Sequence, residues 1–236
     1  MNEEAKMLRR IERPTTAFIT LSVVYGALLI VSNIIVVKLL RFGPFLITAA
    51  FFTYPAVYVI SDIMTEVYGF RLSMKAIRAN FIAQALVSGV LALGVSLSGT
   101  DPGIQEAMKT LFSTTWRIVL GSLAAYWVGD WLNSLILSRL KVLQKGNWFI
   151  VRAMGSSIPA HFIDTALFTV AAFWGIWPAA DIGRNVLSEG ILASAYELIL
   201  FPLTYFATRW WKKKEGVDAY DDPKDYMPFG AVRKSG

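Results

Sequence analysis

From Ala17 to Val37 the chain runs without one charged side chain, and from Phe42 to Ser61 it does so again. About 20 apolar residues at about 1.5 Å of rise each match a hydrocarbon core roughly 30 Å thick, so both runs read as membrane crossings. Four more candidates follow: Ala79 to Leu97, Ile118 to Leu137, Ser156 to Trp177 and Gly190 to Thr208. The last three carry ionisable residues, namely Asp130, then His161 and Asp164, then Glu197. With 55% hydrophobic and only 17% charged residues, the composition excludes an ordinary soluble domain. The expectation is an all-α integral membrane protein, a six-transmembrane-helix bundle over residues 17–210. A segment 1–16 precedes it and a polar tail 211–236, expected to be disordered, follows it.

Positive charge gives an independent orientation, because Lys and Arg accumulate in the loops that stay cytoplasmic. Placing both termini in the cytoplasm puts 18 of the 23 Lys and Arg on that side. These include Lys6, Arg9, Arg10 and Arg13, the groups Arg71 to Arg78 and Arg139 to Arg152, and the cluster from Arg209 to Lys214. Five remain on the other side: Lys38, Arg41, Lys109, Arg117 and Arg184. One missed crossing would invert every later loop. The expected location is the inner (cytoplasmic) membrane, with multiple passes. Glu3, Glu4 and Glu12 in the basic amino-terminal stretch, and the missing small-residue cleavage site, argue against a cleavable signal peptide. No internal repeat supports an inverted-repeat transporter.

Zero cysteines exclude disulfides, thiolate metal sites and cysteine nucleophiles, and one histidine excludes a multi-histidine metal centre, so no metal or cofactor is expected. Chemistry must come from polar residues inside the spans, where an ionisable side chain costs about 2.5–3.5 kcal/mol and so faces a bundle interior or a wet cavity. Tyr58, Asp62 and Glu66 recur every four residues. They either bind a cation or ligand donors, or sit at headgroup level paired with Arg71 or Lys75. On the fourth span Tyr126, Asp130 and Asn133 share a face beside Trp127 and Trp131, while Gly121, Ala125 and Gly129 form a small row for close helix approach. On the fifth, Ser157, His161, Asp164 and Phe168 line one stripe. His161 and Asp164 form either a proton relay or a packing residue beside an acceptor. In the sixth, Glu197 shares a face with Gly190 and Ser194, with Arg152 or a ligand as its partner. Asn33 offers both donor and acceptor. Together Asn33, Asp130, Asn133, Asp164 and Glu197 among Phe51, Tyr54, Trp127, Trp131 and Trp174 describe an acidic, aromatic cavity. Such a cavity suits a planar heterocycle rich in N–H donors, or a cationic amine.

The run Phe51-Phe52-Thr53-Tyr54-Pro55 followed by Ser61-Asp62-Ile63-Met64-Thr65-Glu66-Val67-Tyr68-Gly69 resembles the signature of the queuosine-precursor transporter family, also called the vitamin uptake transporter family. Further pieces agree in order: Ser32-Asn33, Arg152 with Ser156-Ser157 and Asp164-Thr165, Ala172-Phe173-Trp174-Gly175, and Tyr196-Glu197 with Pro202. The resemblance covers roughly residues 17 to 210. It implies six helices importing 7-deazaguanine precursors of tRNA queuosine: the cyano or aminomethyl deazaguanine, or queuine. A guanine-like edge presents N–H groups that one carboxylate accepts in pairs. Asp62, Glu66 and Arg152 then take structural or gating roles. Two departures stand out. Gly129-Asp130 replaces the Gly-Gln common in the family, and a lysine expected shortly before Glu197 is absent, so Glu197 needs another partner.

The competing reading is a substrate-binding membrane subunit of an energy-coupling-factor-type vitamin importer, which requires an energising module. An enzyme is disfavoured, with no phosphate loop or histidine cluster. Nucleic-acid binding is not expected, since loop topology accounts for the basic residues. The expected partners are the lipid bilayer, a planar nucleobase-like small molecule and, beyond these, a second copy or an energising module.

Overall fold

The computed structural model describes residues 14–112 and 116–221. The basic residues Lys6, Arg9, Arg10 and Arg13, and the tail beyond Asp221, lie outside the described residues. Helix α1 (Thr16–Ile35) starts at Thr15, whose hydroxyl accepts from the Phe18 amide at 3.2 Å. Strands β1 (Leu39–Phe42) and β2 (Phe45–Thr48) then pair antiparallel. A short 3-10 turn (Ala49–Phe52) leads into α2 (Tyr54–Tyr68), and α3 (Phe70–Ser96) follows across the single residue Gly69. Next come α4 (Pro102–Phe112), α5 (Trp116–Leu143), α6 (Phe149–Phe173) and α7 (Ala179–Glu215), with Gly216 ending α7 at φ +65°.

Three helices, α1, α3 and α7, are long and apolar enough on their own to cross a membrane. At 28 and 25 residues α5 and α6 are also long enough, but inward-facing polar residues dilute their hydropathy. Charged and polar groups are buried inside, while large apolar side chains cover the outside. Val23, Leu86, Val90, Ile199 and Leu203 are exposed, whereas Asp62, Glu66, Asn133 and Ser157 are fully buried. Lipid covers such an exterior without penalty, and an aqueous solvent would not.

The second apolar run is not the uninterrupted helix expected from Phe42. Gly43-Pro44 turns it into a hairpin, with Gly43 at φ +56°. Hydropathy averages over that turn signal. The 3-10 turn and α2 together still reach about 30 Å, from four residues at about 2.0 Å and fifteen at about 1.5 Å. Helices α3, α6 and α7 each begin several residues before the expected spans, because a helix need not stop where the hydrocarbon does. Arg71, Lys75 and Arg78 therefore lie in α3 rather than in a loop. Helix α4 packs no residue into the interior.

The small row on α5 works as expected. A Cβ added at Gly121 would lie 2.9 Å from the Ala171 Cβ, and one at Gly129 would lie 2.8 Å from the Asp164 Cβ, so α5 and α6 meet almost backbone to backbone. Gly69, at φ +85° and ψ 165°, reverses the chain between α2 and α3 in a region open essentially to glycine alone. A Cβ there would also come within 2.9 Å of the Asp221 carboxylate. Gly69→Ala is therefore expected to cost about 1–3 kcal/mol of stability. Gly43→Ala, with nothing within 4 Å of the new Cβ, should cost less. Melting curves in one detergent check this, and equal losses would contradict it.

The start of the tail departs from the expected disorder. Asp221 accepts from the Phe70 amide at 2.8 Å and the Ser138 hydroxyl at 2.6 Å, and the Ala219 amide donates to the Val67 carbonyl at 3.1 Å. The tail's carboxylates meet two lysines and the first amide of α3, which favours ordering over solvation.

Candidate functional site

On α2 the residues Tyr54, Tyr58, Asp62 and Glu66 stand one turn apart on a single face, as the four-residue spacing predicts. Opposite them on α6, read in the reverse direction, stand Asp164, His161, Ser157 and Arg152. The two rows form a ladder of four rungs. Tyr54 donates to the Asp164 carboxylate at 3.2 Å, and the Tyr58 ring lies 4.3 Å from the His161 ring. Ser157 reaches Asp62 at 3.4 Å, and Arg152 grips Glu66 with Nε at 2.9 Å and Nη2 at 2.7 Å.

The upper rungs border a cavity beneath the hairpin. It offers about 50 Å³ of inner room for solvent, within about 590 Å³ of open space counted out through its mouth. The inner room holds a few waters, so a bicyclic ligand sits toward the mouth or displaces side chains. Among its walls are Asn33, Phe51, Tyr54, His161, Asp164, Phe168 and Glu189. Asn33 donates to the Leu29 carbonyl at 3.2 Å and accepts from Ser122, so its amide is held in place. Glu189 accepts from the Thr48 amide, which ties α7 to the end of β2.

Glu189 was missed by sequence reasoning, as were the cavity hydroxyls of Thr48 and Ser122. The sixth span was started at Gly190, which put Glu189 in a loop. Because α7 begins at Ala179, Glu189 is a helical residue two turns above Glu197. That eight-residue spacing was the available signal.

Six expected wall residues lie elsewhere. Trp174 caps the end of α6 and is 61% exposed, because the helix stops just before it. Asp130 is buried and accepts from Ser61 at 2.5 Å, and Asn133 donates to Asp62 at 2.7 Å. Glu197 pairs with His161, Nε2 to Oε2, at 2.8 Å. Trp127 and Trp131 pack against the apolar core instead of the cavity.

The structure separates two pairs that the sequence left open. His161 and Asp164, three residues apart, point about 60° apart around α6, so His161 reaches Glu197 on α7 as well as the Tyr58 ring on α2, while Asp164 meets Tyr54 on α2. Arg152 serves Glu66, and His161 takes the place that a lysine was expected to fill beside Glu197.

The lowest rung is an ion cluster. Lys212 hydrogen-bonds Glu66, and Lys141 stands 3.7 Å from the same carboxylate. Both lysines also bind Asp218 of the tail, at 2.6 Å from Lys141 and 2.9 Å from Lys212. Neither Arg71 nor Lys75 is the partner of Glu66. The residue is fully buried near the end of α2, where the tail docks, and its charge is offset by Arg152, Lys141 and Lys212 together.

Residues 48–207 match the family described as "Putative vitamin uptake transporter". A "Probable queuosine precursor transporter" of Bacillus subtilis (strain 168) is 27% identical over 190 residues, covering 78% of this chain and 81% of that protein. No solved structure matches. Neither description names an energy-coupling-factor module. The matched region contains all eight ladder residues, along with Glu189 and the aromatic cavity walls Phe51, Tyr54 and Phe168. An apolar exterior, a polar interior column and this match converge: the chain belongs to the vitamin uptake transporter family and is a multi-pass membrane transporter.

Proposed function

We propose that this protein imports a 7-deazaguanine precursor of queuosine. The observation that carries the reading is the pair of cavity carboxylates, Asp164 and Glu189, set beside the Phe51, Tyr54 and Phe168 rings with the Asn33 amide. Carboxylates accept the ring N–H and exocyclic amine of a guanine-like edge, and the rings cover its flat faces. The name of the Bacillus subtilis relative supports the same ligand class. Titrating purified protein with the cyano and aminomethyl deazaguanines, queuine and guanine tests it. Saturable binding of one deazapurine in preference to adenine is expected. Failure of all four to bind would remove the proposal.

The path we propose crosses the membrane six times, through α1, the 3-10 turn with α2, α3, α5, α6 and α7, with α4 lying at an interface. Both termini then face the cytoplasm, the side holding 18 of the 23 Lys and Arg, in an inner (cytoplasmic) membrane. A reporter fused after Lys145 should give a cytoplasmic signal. An external signal there would reject this topology.

A further inference from the structure

Between the cavity and the Glu66–Arg152 rung lies a buried cluster that ligand recognition does not use. Asp62 comes from α2, Asn133 from α5, His161 and Ser157 from α6, and Glu197 from α7, each at most 2% exposed. Asn133 donates to Asp62 at 2.7 Å, Ser157 stands 3.2 Å from the Asn133 oxygen, and His161 meets Glu197 at 2.8 Å. Ser157 also stands 3.4 Å from Asp62, so both acids sit in one hydrogen-bonded neighbourhood. The partners that hold these two acids are amide, hydroxyl and imidazole. The nearby cations Lys141, Arg152 and Lys212 converge on Glu66, one turn further along α2.

The cluster also reaches the cavity. His161 belongs to both, one edge at the cavity wall and its Nε2 on Glu197. Tyr58 packs on its ring, and the buried Tyr58 hydroxyl has no hydrogen-bond partner among the described residues. The other titratable groups facing the cluster are Tyr126 and Asp130 on α5 and Asp164 on α6. Four helices meet at this point, so any movement of one against another rearranges its hydrogen bonds. Whether a proton is present decides how many like charges are buried while that happens.

We propose that Asp62, Glu197 and His161 form a proton-coupling site, making the protein a proton symporter. A proton from water at the cavity side passes through His161 to the buried acids of the cluster, Glu197 first, and is released to water on the opposite face when the four helices rearrange, leaving the cluster to be reloaded. This rests on the transport reading above.

The test uses the full chain in proteoliposomes with radiolabelled 7-cyano-7-deazaguanine, comparing the unaltered protein with Asp62→Asn and Glu197→Gln. Exchange at equal pH needs no driving force, whereas accumulation under an acid-outside gradient does. The expected result is gradient-driven accumulation by the unaltered protein. Both variants should lose it at least ten-fold while keeping exchange within about three-fold. Exchange without gradient-driven accumulation in the unaltered protein overturns the coupling and leaves transport standing. Variants that still accumulate like the unaltered protein also overturn it. Loss of exchange in both variants places these acids in permeation itself and equally overturns the assignment. Absence of exchange in the unaltered protein defeats the transport reading, and this inference falls with it.

Discussion

Glu66→Gln is expected to lose about 3–5 kcal/mol of stability, more than Arg152→Gln, even though the two residues form one bidentate pair. The asymmetry follows from the number of partners. Removing the carboxylate leaves Arg152, Lys141 and Lys212 facing one another with, among the described residues, only the half-exposed Asp218 to offset them. Removing the guanidinium leaves Glu66 with both lysines. A loss of this size lowers the melting temperature of a chain this long on the order of 10 °C, readable in a single detergent. Equal losses in the two variants would mean that the lysines carry no part of the compensation.

Asp164→Asn and Glu189→Gln should each weaken deazaguanine binding about 10- to 150-fold, the equivalent of about 1.5–3 kcal/mol for a lost charge-assisted hydrogen bond. Trp174→Ala should leave binding nearly unchanged, since that ring is not among the cavity walls and is 61% exposed. The contrast separates the cavity as built from the cavity expected from motif position alone. Weakened binding in Trp174→Ala with full affinity in Glu189→Gln would place the ligand elsewhere. Isothermal titration of each purified variant decides it, with the melting temperature confirming that the fold is retained.

Periodicity and hydropathy carried the membrane class, the face shared by Tyr58, Asp62 and Glu66, the stripe of α6 and the small row of α5. Each of these depends only on the repeat of one helix. The hairpin at Gly43-Pro44 was legible only as a turn signal inside a greasy run, and averaging hid it. Which partner each polar residue would take was not legible. His161 chose Glu197 over its own neighbour Asp164, Arg152 chose Glu66, and Glu189 joined the cavity, because pairing depends on the rotation and axial offset of helices distant in sequence. A buried charge announces in sequence that it needs a partner, since leaving it unpaired costs several kcal/mol. Only the packed bundle brings one particular partner within 3 Å.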